Sequence, residues 1–91
     1  MAVGIRLKFS GMTQDQFDTI NKAVDRKEAH GLIFHASGPV EGGWGVIDFW
    51  ESREQFDQFI ANVVGPAMQV TGAAPPDVKE FPVHEYGVPE A

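Results

Sequence analysis

The sequence predicts an α+β fold, a four-stranded antiparallel sheet with two helices on one face. Three observations predict it. Alternating apolar residues open the chain, two later segments carry helical apolar stripes behind capping residues, and a Gly/Pro turn joins two strongly apolar runs lying between those stripes.

Val3, Ile5, Leu7 and Phe9 alternate with Gly4, Arg6 and Lys8, the period-two pattern of a first strand. Thr13 followed by Gln16 is a capping-box signature, and Phe17, Ile20 and Val24 recur at helical spacing, so a helix is expected to run to near His30-Gly31. His30, at that helix end, reads as a surface group. The second and third strands are expected over about Leu32 to Ser37 and about Trp44 to Trp50, with turn chemistry in Gly38-Pro39-Val40-Glu41-Gly42-Gly43. Ser52 and Gln55 repeat the capping pattern, and Phe56, Phe59, Ile60 and Val63 form a second stripe that Gly65-Pro66 is expected to end. A short helix from Pro66 to about Val70 stops at Gly72. Pro75-Pro76 then leads into a last strand from about Val78 to Tyr86. This order resembles the ferredoxin-like βαββαβ arrangement, in which right-handed crossovers put both helices on one face and the first and third strands in the middle.

At 91 residues the chain is read as a single domain, 1–91, which buries only about 60–65% of the surface its unfolded form exposes. A partner subunit would add stability. A hydrophobic fraction of 43% with no apolar run near the roughly 20 residues of a membrane span excludes a transmembrane helix. The opening MAVGIRLKFS lacks the basic-then-apolar layout of a signal peptide, so a cytoplasmic location is expected. Cysteine is absent, which removes disulfides, thiolate nucleophiles and thiolate metal sites together. A net charge of −6 argues against nucleic acid as a partner.

The uncovered sheet face raises a difficulty. Leu32, Ile33 and Phe34 are consecutive, as are Val46 and Ile47 and then Phe49 and Trp50, so both faces of these strands need cover and a homodimer through the open face is expected. Parity sorts the residues: Ile5, Leu7, Phe9, Leu32, Phe34, Ala36, Ile47, Phe49, Phe81 and Val83 form an apolar core under the helices. The open face then collects Arg6, Lys8, Ile33, His35, Ser37, Trp44, Val46, Asp48, Trp50, His84 and Tyr86, apolar walls with a few convergent polar groups, as in a ligand cavity. A two-residue turn at Glu41-Gly42 sets His35 directly opposite Asp48. A three- or five-residue loop reverses that parity, and Pro39 leaves the irregular loop open.

The order of elements, the two capped helices and the stretch Gly43-Trp44-Gly45-Val46-Ile47-Asp48-Phe49-Trp50-Glu51-Ser52, leading into Arg53-Glu54-Gln55-Phe56, resemble the dimeric α+β barrel superfamily. Within it, the chain is similar to small antibiotic-biosynthesis-monooxygenase-like proteins, where a strand ends in an aromatic residue and a Ser-initiated helix follows. The resemblance covers nearly the whole chain. It implies two protomers packed through their open sheet faces into a barrel, and a choice among cofactor-free oxygenation of polycyclic phenols, haem degradation, lactone isomerisation, aldol-type cyclisation and no reaction. The haem-degrading members use Asn, Trp and His, and the first strand here offers Arg6 and Lys8 but no Asn. The aldol cyclases use a His with a Tyr, and His84 and Tyr86 stand two apart.

An imidazole titrates near neutral pH, so His35 is the candidate general base and Asp48 the group that orients it. Arg6 or Lys8 would stabilise oxyanion charge, and Trp44, Trp50 and Tyr86 would shape a pocket for a hydrophobic or aromatic molecule. Each has a plainer counterpart: Asp48 neutralising Arg6 or Lys8, the tryptophans packing a dimer interface, His84 and Tyr86 capping a barrel end. The Gly38 to Gly45 segment joins two strands and has no Gly-Lys-Ser/Thr ending, so it is a turn and not a phosphate loop. Three histidines without i, i+4 spacing give no metal motif, and no cofactor is called for. The expectation is a small-molecule enzyme with a hydrophobic barrel cavity, acting on an aromatic or polyketide-like substrate by proton transfer, through monooxygenation or cyclisation. The alternative is a non-catalytic ligand-binding or structural dimer of the same fold.

Overall fold

The computed structural model describes residues 1–87. Its elements are β1 (Val3–Ser10), α1 (Gln14–Ala23), β2 (Leu32–Val40), β3 (Gly43–Trp50), α2 (Arg53–Phe59), α3 (Gly65–Thr71) and β4 (Asp77–Pro82), with a 3₁₀ turn at Arg26–Glu28 and a π-helical segment at Ile60–Val64. The sheet is antiparallel with strand order β2-β3-β1-β4, so the first and third strands are central as expected.

Local chemistry accounts for the helix starts. The Thr13 hydroxyl accepts from the Gln16 backbone N–H at 3.2 Å and the Gln16 side chain accepts from the Thr13 N–H at 3.0 Å, closing a reciprocal box that satisfies two otherwise orphaned donors. Ser52 Oγ accepts from the Gln55 N–H at 3.2 Å. The helix ends differ from the sequence expectation. α1 stops at Ala23 instead of running to His30-Gly31, because Val24 is extended and the Asp25 carboxylate accepts from the Lys27 N–H at 3.0 Å, restarting the chain as a 3₁₀ turn. Gly65-Pro66 does not end the second helix. Pro66 has no N–H and its ring crowds the carbonyl a turn back; the wide π turn just before it makes room, and the chain stays helical until Gly72 takes a left-handed φ of 68°.

The β2–β3 hairpin closes through Glu41-Gly42, with Val40 opposite Gly43 and Gly42 at φ 80°. Pro39 is accommodated inside β2 because that strand lies at the sheet edge. β4 ends at Pro82, short of the expected Tyr86, so His84 and Tyr86 lie beyond the sheet.

The register of β1 against β3 corrects the assignment of faces. Val3 stands opposite Trp50, Ile5 opposite Asp48, Leu7 opposite Val46 and Phe9 opposite Trp44. Directly opposed residues share a face, so Trp44, Val46, Asp48 and Trp50 join Ile5, Leu7 and Phe9 under the helices. Ile47, Phe49, Phe34 and Ala36, expected in the core, lie on the uncovered face with Arg6 and Lys8, as does Phe81, opposite Gly4. The core is therefore Ile5, Leu7, Phe9, Trp44 and Trp50 from the sheet, closed by Met12, Ile20, Phe56, Phe59 and Ala67. Among the described residues, no helix is long and apolar enough to cross a membrane.

Candidate functional site

β3 carries the centre of the site. Asp48 opposes His35 across the hairpin, as the two-residue turn requires, and Asp48 is 8% exposed while His35 is half-buried. Both point to the helix side of the sheet, not to the open face where parity reasoning put them. Trp50, two residues along β3 on the same face and fully buried, donates from Nε1 to Asp48 Oδ2 at 3.3 Å. Burial drives the Asp48 carboxyl above the usual carboxylate range; the Trp50 hydrogen bond and the fields of His35 and Arg26 pull the other way without cancelling it.

Between the sheet and the helices lies a cavity of about 60 Å³, with walls that include Leu7, Phe9, Phe17, Val46, Phe59 and Met68. Its polar lining is His35, Asp48, Asn21 and Arg26. Arg26 is exposed and donates to Asn21 Oδ1, so the cavity meets solvent where these two side chains lie. Sequence reasoning singled out neither. Asn21 had a legible signal: it follows Phe17 by one helical turn and sits beside Ile20, a polar residue on an otherwise apolar stripe. Arg26 had none, because it reaches the cavity only if the helix breaks at Val24.

The remaining candidates separate. Arg6 and Lys8 line a depression of about 500 Å³ on the uncovered face, with Ala36, Val40 and Ile47. They are across the sheet from Asp48, so they neither neutralise it nor reach a substrate held at His35. His84 and Tyr86 border another depression of about 670 Å³ beside Phe34, Phe49 and Phe81. The tryptophans pack the interior instead of an interface: Trp50 meets Phe56 edge-on at 5.9 Å and Phe59 at 5.4 Å, and Trp44 stacks on Phe17 at 5.2 Å. The indole N–H of Trp44 is buried with no hydrogen-bond partner among the described residues.

The raised Asp48 carboxyl has a stability consequence whose sign is definite. Below 3.8, the ordinary value, the carboxyl is protonated in both the folded and the unfolded chain; as pH rises past it the unfolded chain ionises first, so the folded state loses stability until its own, higher pKa is passed. Asp48→Asn keeps an oxygen for Trp50 Nε1 and has no charge to bury. Its melting temperature, followed by calorimetry across this range, is expected to equal that of the wild type below 3.8 and to exceed it increasingly above. A variant less stable than wild type at neutral pH would mean that the carboxylate is paired well enough to offset its burial.

The sequence matches no protein-family model and no curated relative. Solved structures do match over nearly the full chain. SnoaB, a cofactor-independent oxygenase from Streptomyces nogalater, superposes with a TM-score of 0.64 at 12% identity, covering 98% of this chain and 97% of SnoaB. A candidate antibiotic biosynthesis monooxygenase from Chloroflexus aurantiacus J-10-fl gives 0.62 at 17% identity over 98% of this chain and 100% of its own. A dimeric ferredoxin-like protein of unknown function from Thermobifida fusca gives 0.65 at 16% identity over 91% and 92%. Likeness at such identities carries architecture and not activity, and the architecture is clear: this chain has the ferredoxin-like α+β fold that these structures share.

Proposed function

We propose that the protein is a cofactor-independent, monooxygenase-type enzyme acting on a flat aromatic or polyketide-like substrate, with His35 as general base and Asp48 orienting it. The observation that carries this reading is the cross-strand opposition of His35 to a buried carboxyl, both lining one cavity whose walls are mostly apolar. An imidazole across the hairpin from a carboxyl is the arrangement in which a general base has a group at hand to orient it. A phenolic or enolic substrate that gives up that proton becomes an electron-rich anion. Such an anion can react with dioxygen, the net change at an activated CH₂ being conversion to C=O with the second oxygen leaving as water; ring closure is the other outlet.

The likeness to a cofactor-independent oxygenase supports the reaction class. The cavity, about 60 Å³ or roughly two waters' share of liquid volume, admits the reacting edge of a ring, with the rest of a flat molecule lying across the opening at Arg26. That small volume also favours a second reading, a structural dimer without catalysis. In either case we propose a homodimer through the uncovered face, where Phe34 is 59% and Phe81 47% exposed, and the likeness to a dimeric protein supports it.

The test has two arms. Native mass spectrometry of the purified protein should find a dimer and a retained flat phenolic compound, and adding a tricyclic phenol should quench tryptophan fluorescence and consume dioxygen. A monomer removes the interface. Failure of every flat hydrophobic compound to bind removes the enzyme reading and leaves the structural one.

A further inference from the structure

The opening of the cavity has a chemistry of its own. Arg26 leads the 3₁₀ turn, whose backbone is fixed by the Asp25 carboxylate capping the Lys27 N–H, and its guanidinium is steadied by Asn21 from α1. Asp25 is thus already engaged with the backbone. Among the described residues no carboxylate stands in ion-pair contact with Arg26; the ion pairs present join His30 to Glu28 and Arg53 to Asp57 and Glu80. Asp48, the one acid lining the same cavity, acts on Arg26 through space only. A guanidinium at the rim of an apolar cavity, with N–H groups beyond the one given to Asn21 and an amide beside it, offers parallel donors to a planar pair of oxygens.

We propose that Arg26 and Asn21 form a carboxylate-recognition subsite at the mouth of the His35–Asp48 cavity, so that the substrate class is an aromatic or polyketide-like acid. This rests on the reading of that cavity as the reaction site. The carboxylate binds at the rim, the ring edge enters between Phe17 and Met68, and the acidic carbon or hydroxyl is brought toward His35. A carboxylate suits the fork of donors better than a single phenolate oxygen does. Arg26 is then a positioning and specificity residue: it selects the molecule and takes no proton.

The probes are 2-naphthoate and its methyl ester, which share a ring system and differ in charge, titrated by tryptophan fluorescence quenching against wild type, Arg26→Gln and Asn21→Leu. Wild type is expected to bind the acid at least about ten-fold more tightly than the ester, the size of one hydrogen bond to a charged group. Arg26→Gln should abolish that preference while leaving the ester's affinity unchanged, and Asn21→Leu should reduce it. Because Arg26 is exposed, the variant is expected to melt like wild type. Equal binding of acid and ester by wild type, a preference that survives in Arg26→Gln, or no binding by either probe overturns the subsite. The base assignment fails separately, through the turnover of His35 variants on any substrate, charged or not.

Discussion

His35→Gln is expected to lower turnover by about 10²–10⁴-fold, the contribution of a positioned general base, with little change in melting temperature. Glutamine has a similar reach and stays polar, but it cannot accept a proton at neutral pH. The side chain is half-buried at the cavity wall and is not part of the core cluster, so the substitution deletes chemistry without opening a void. The measurement is dioxygen uptake and product formation on a phenol of the proposed substrate class, together with a thermal melt. Turnover within a factor of two or three of wild type would sink His35 as the base and turn attention to Asp48, the carboxyl lining the same cavity. A drop in KM-normalised rate with unchanged kcat would instead mean that His35 binds substrate.

That pair of residues was legible in the sequence for a local reason. The Glu41-Gly42 turn is two residues long, and a turn of fixed length sets the hairpin register by itself, so the opposition of His35 and Asp48 follows without knowledge of the rest of the fold. Which side of the sheet they occupy does not. β1 and β3 are joined through a helix and another strand, and no short turn sets their relative parity. The apolar core that the opposite parity gives under the helices argued for turning Trp44, Val46, Asp48 and Trp50 outward. Burial area argues the reverse and wins: at about 25 cal/mol per Å², each tryptophan gains roughly 4–6 kcal/mol by burial, against several for one carboxylate that can be protonated and accepts an indole N–H. Ile47 and Phe49 give less, and they can be covered by a second subunit.

The break after α1 was illegible for a different reason. Val24 continues the apolar stripe, so periodicity runs past the true end, while Asp25 offers its carboxylate to the backbone and the helix yields to a 3₁₀ turn. That break delivers Arg26 to the cavity. At Pro66 the expected break is absent, because a single wide turn costs less than ending a helix whose Phe59, Ile60, Val64 and Met68 all pack against the core or cavity.

Trp50→Ala is expected to cost about 3–5 kcal/mol of stability, a large part of the 5–15 kcal/mol typical of a folded domain. The side chain is completely buried, its ring wedged between Phe56 and Phe59, so truncation leaves a cavity that two helix-borne aromatics cannot fill without shifting α2. Urea unfolding reads the loss directly; a cost under about 1 kcal/mol would place the ring in a site that collapses easily and contradict its role as the centre of the core. The same residue also serves Asp48, and the two functions come apart by substitution. Trp50→Phe keeps an aromatic ring against Phe56 and Phe59 and removes the indole N–H with part of the ring, leaving a buried carboxyl without the bond that lowers its pKa, so Asp48 rises further and the fold loses more stability as pH increases. Asp48→Asn should accordingly stabilise the Trp50→Phe background more than it stabilises wild type, a coupling of about 0.5–3 kcal/mol in a double-mutant cycle at neutral pH. Additive effects would mean that the indole and the carboxyl are neighbours without a shared hydrogen bond.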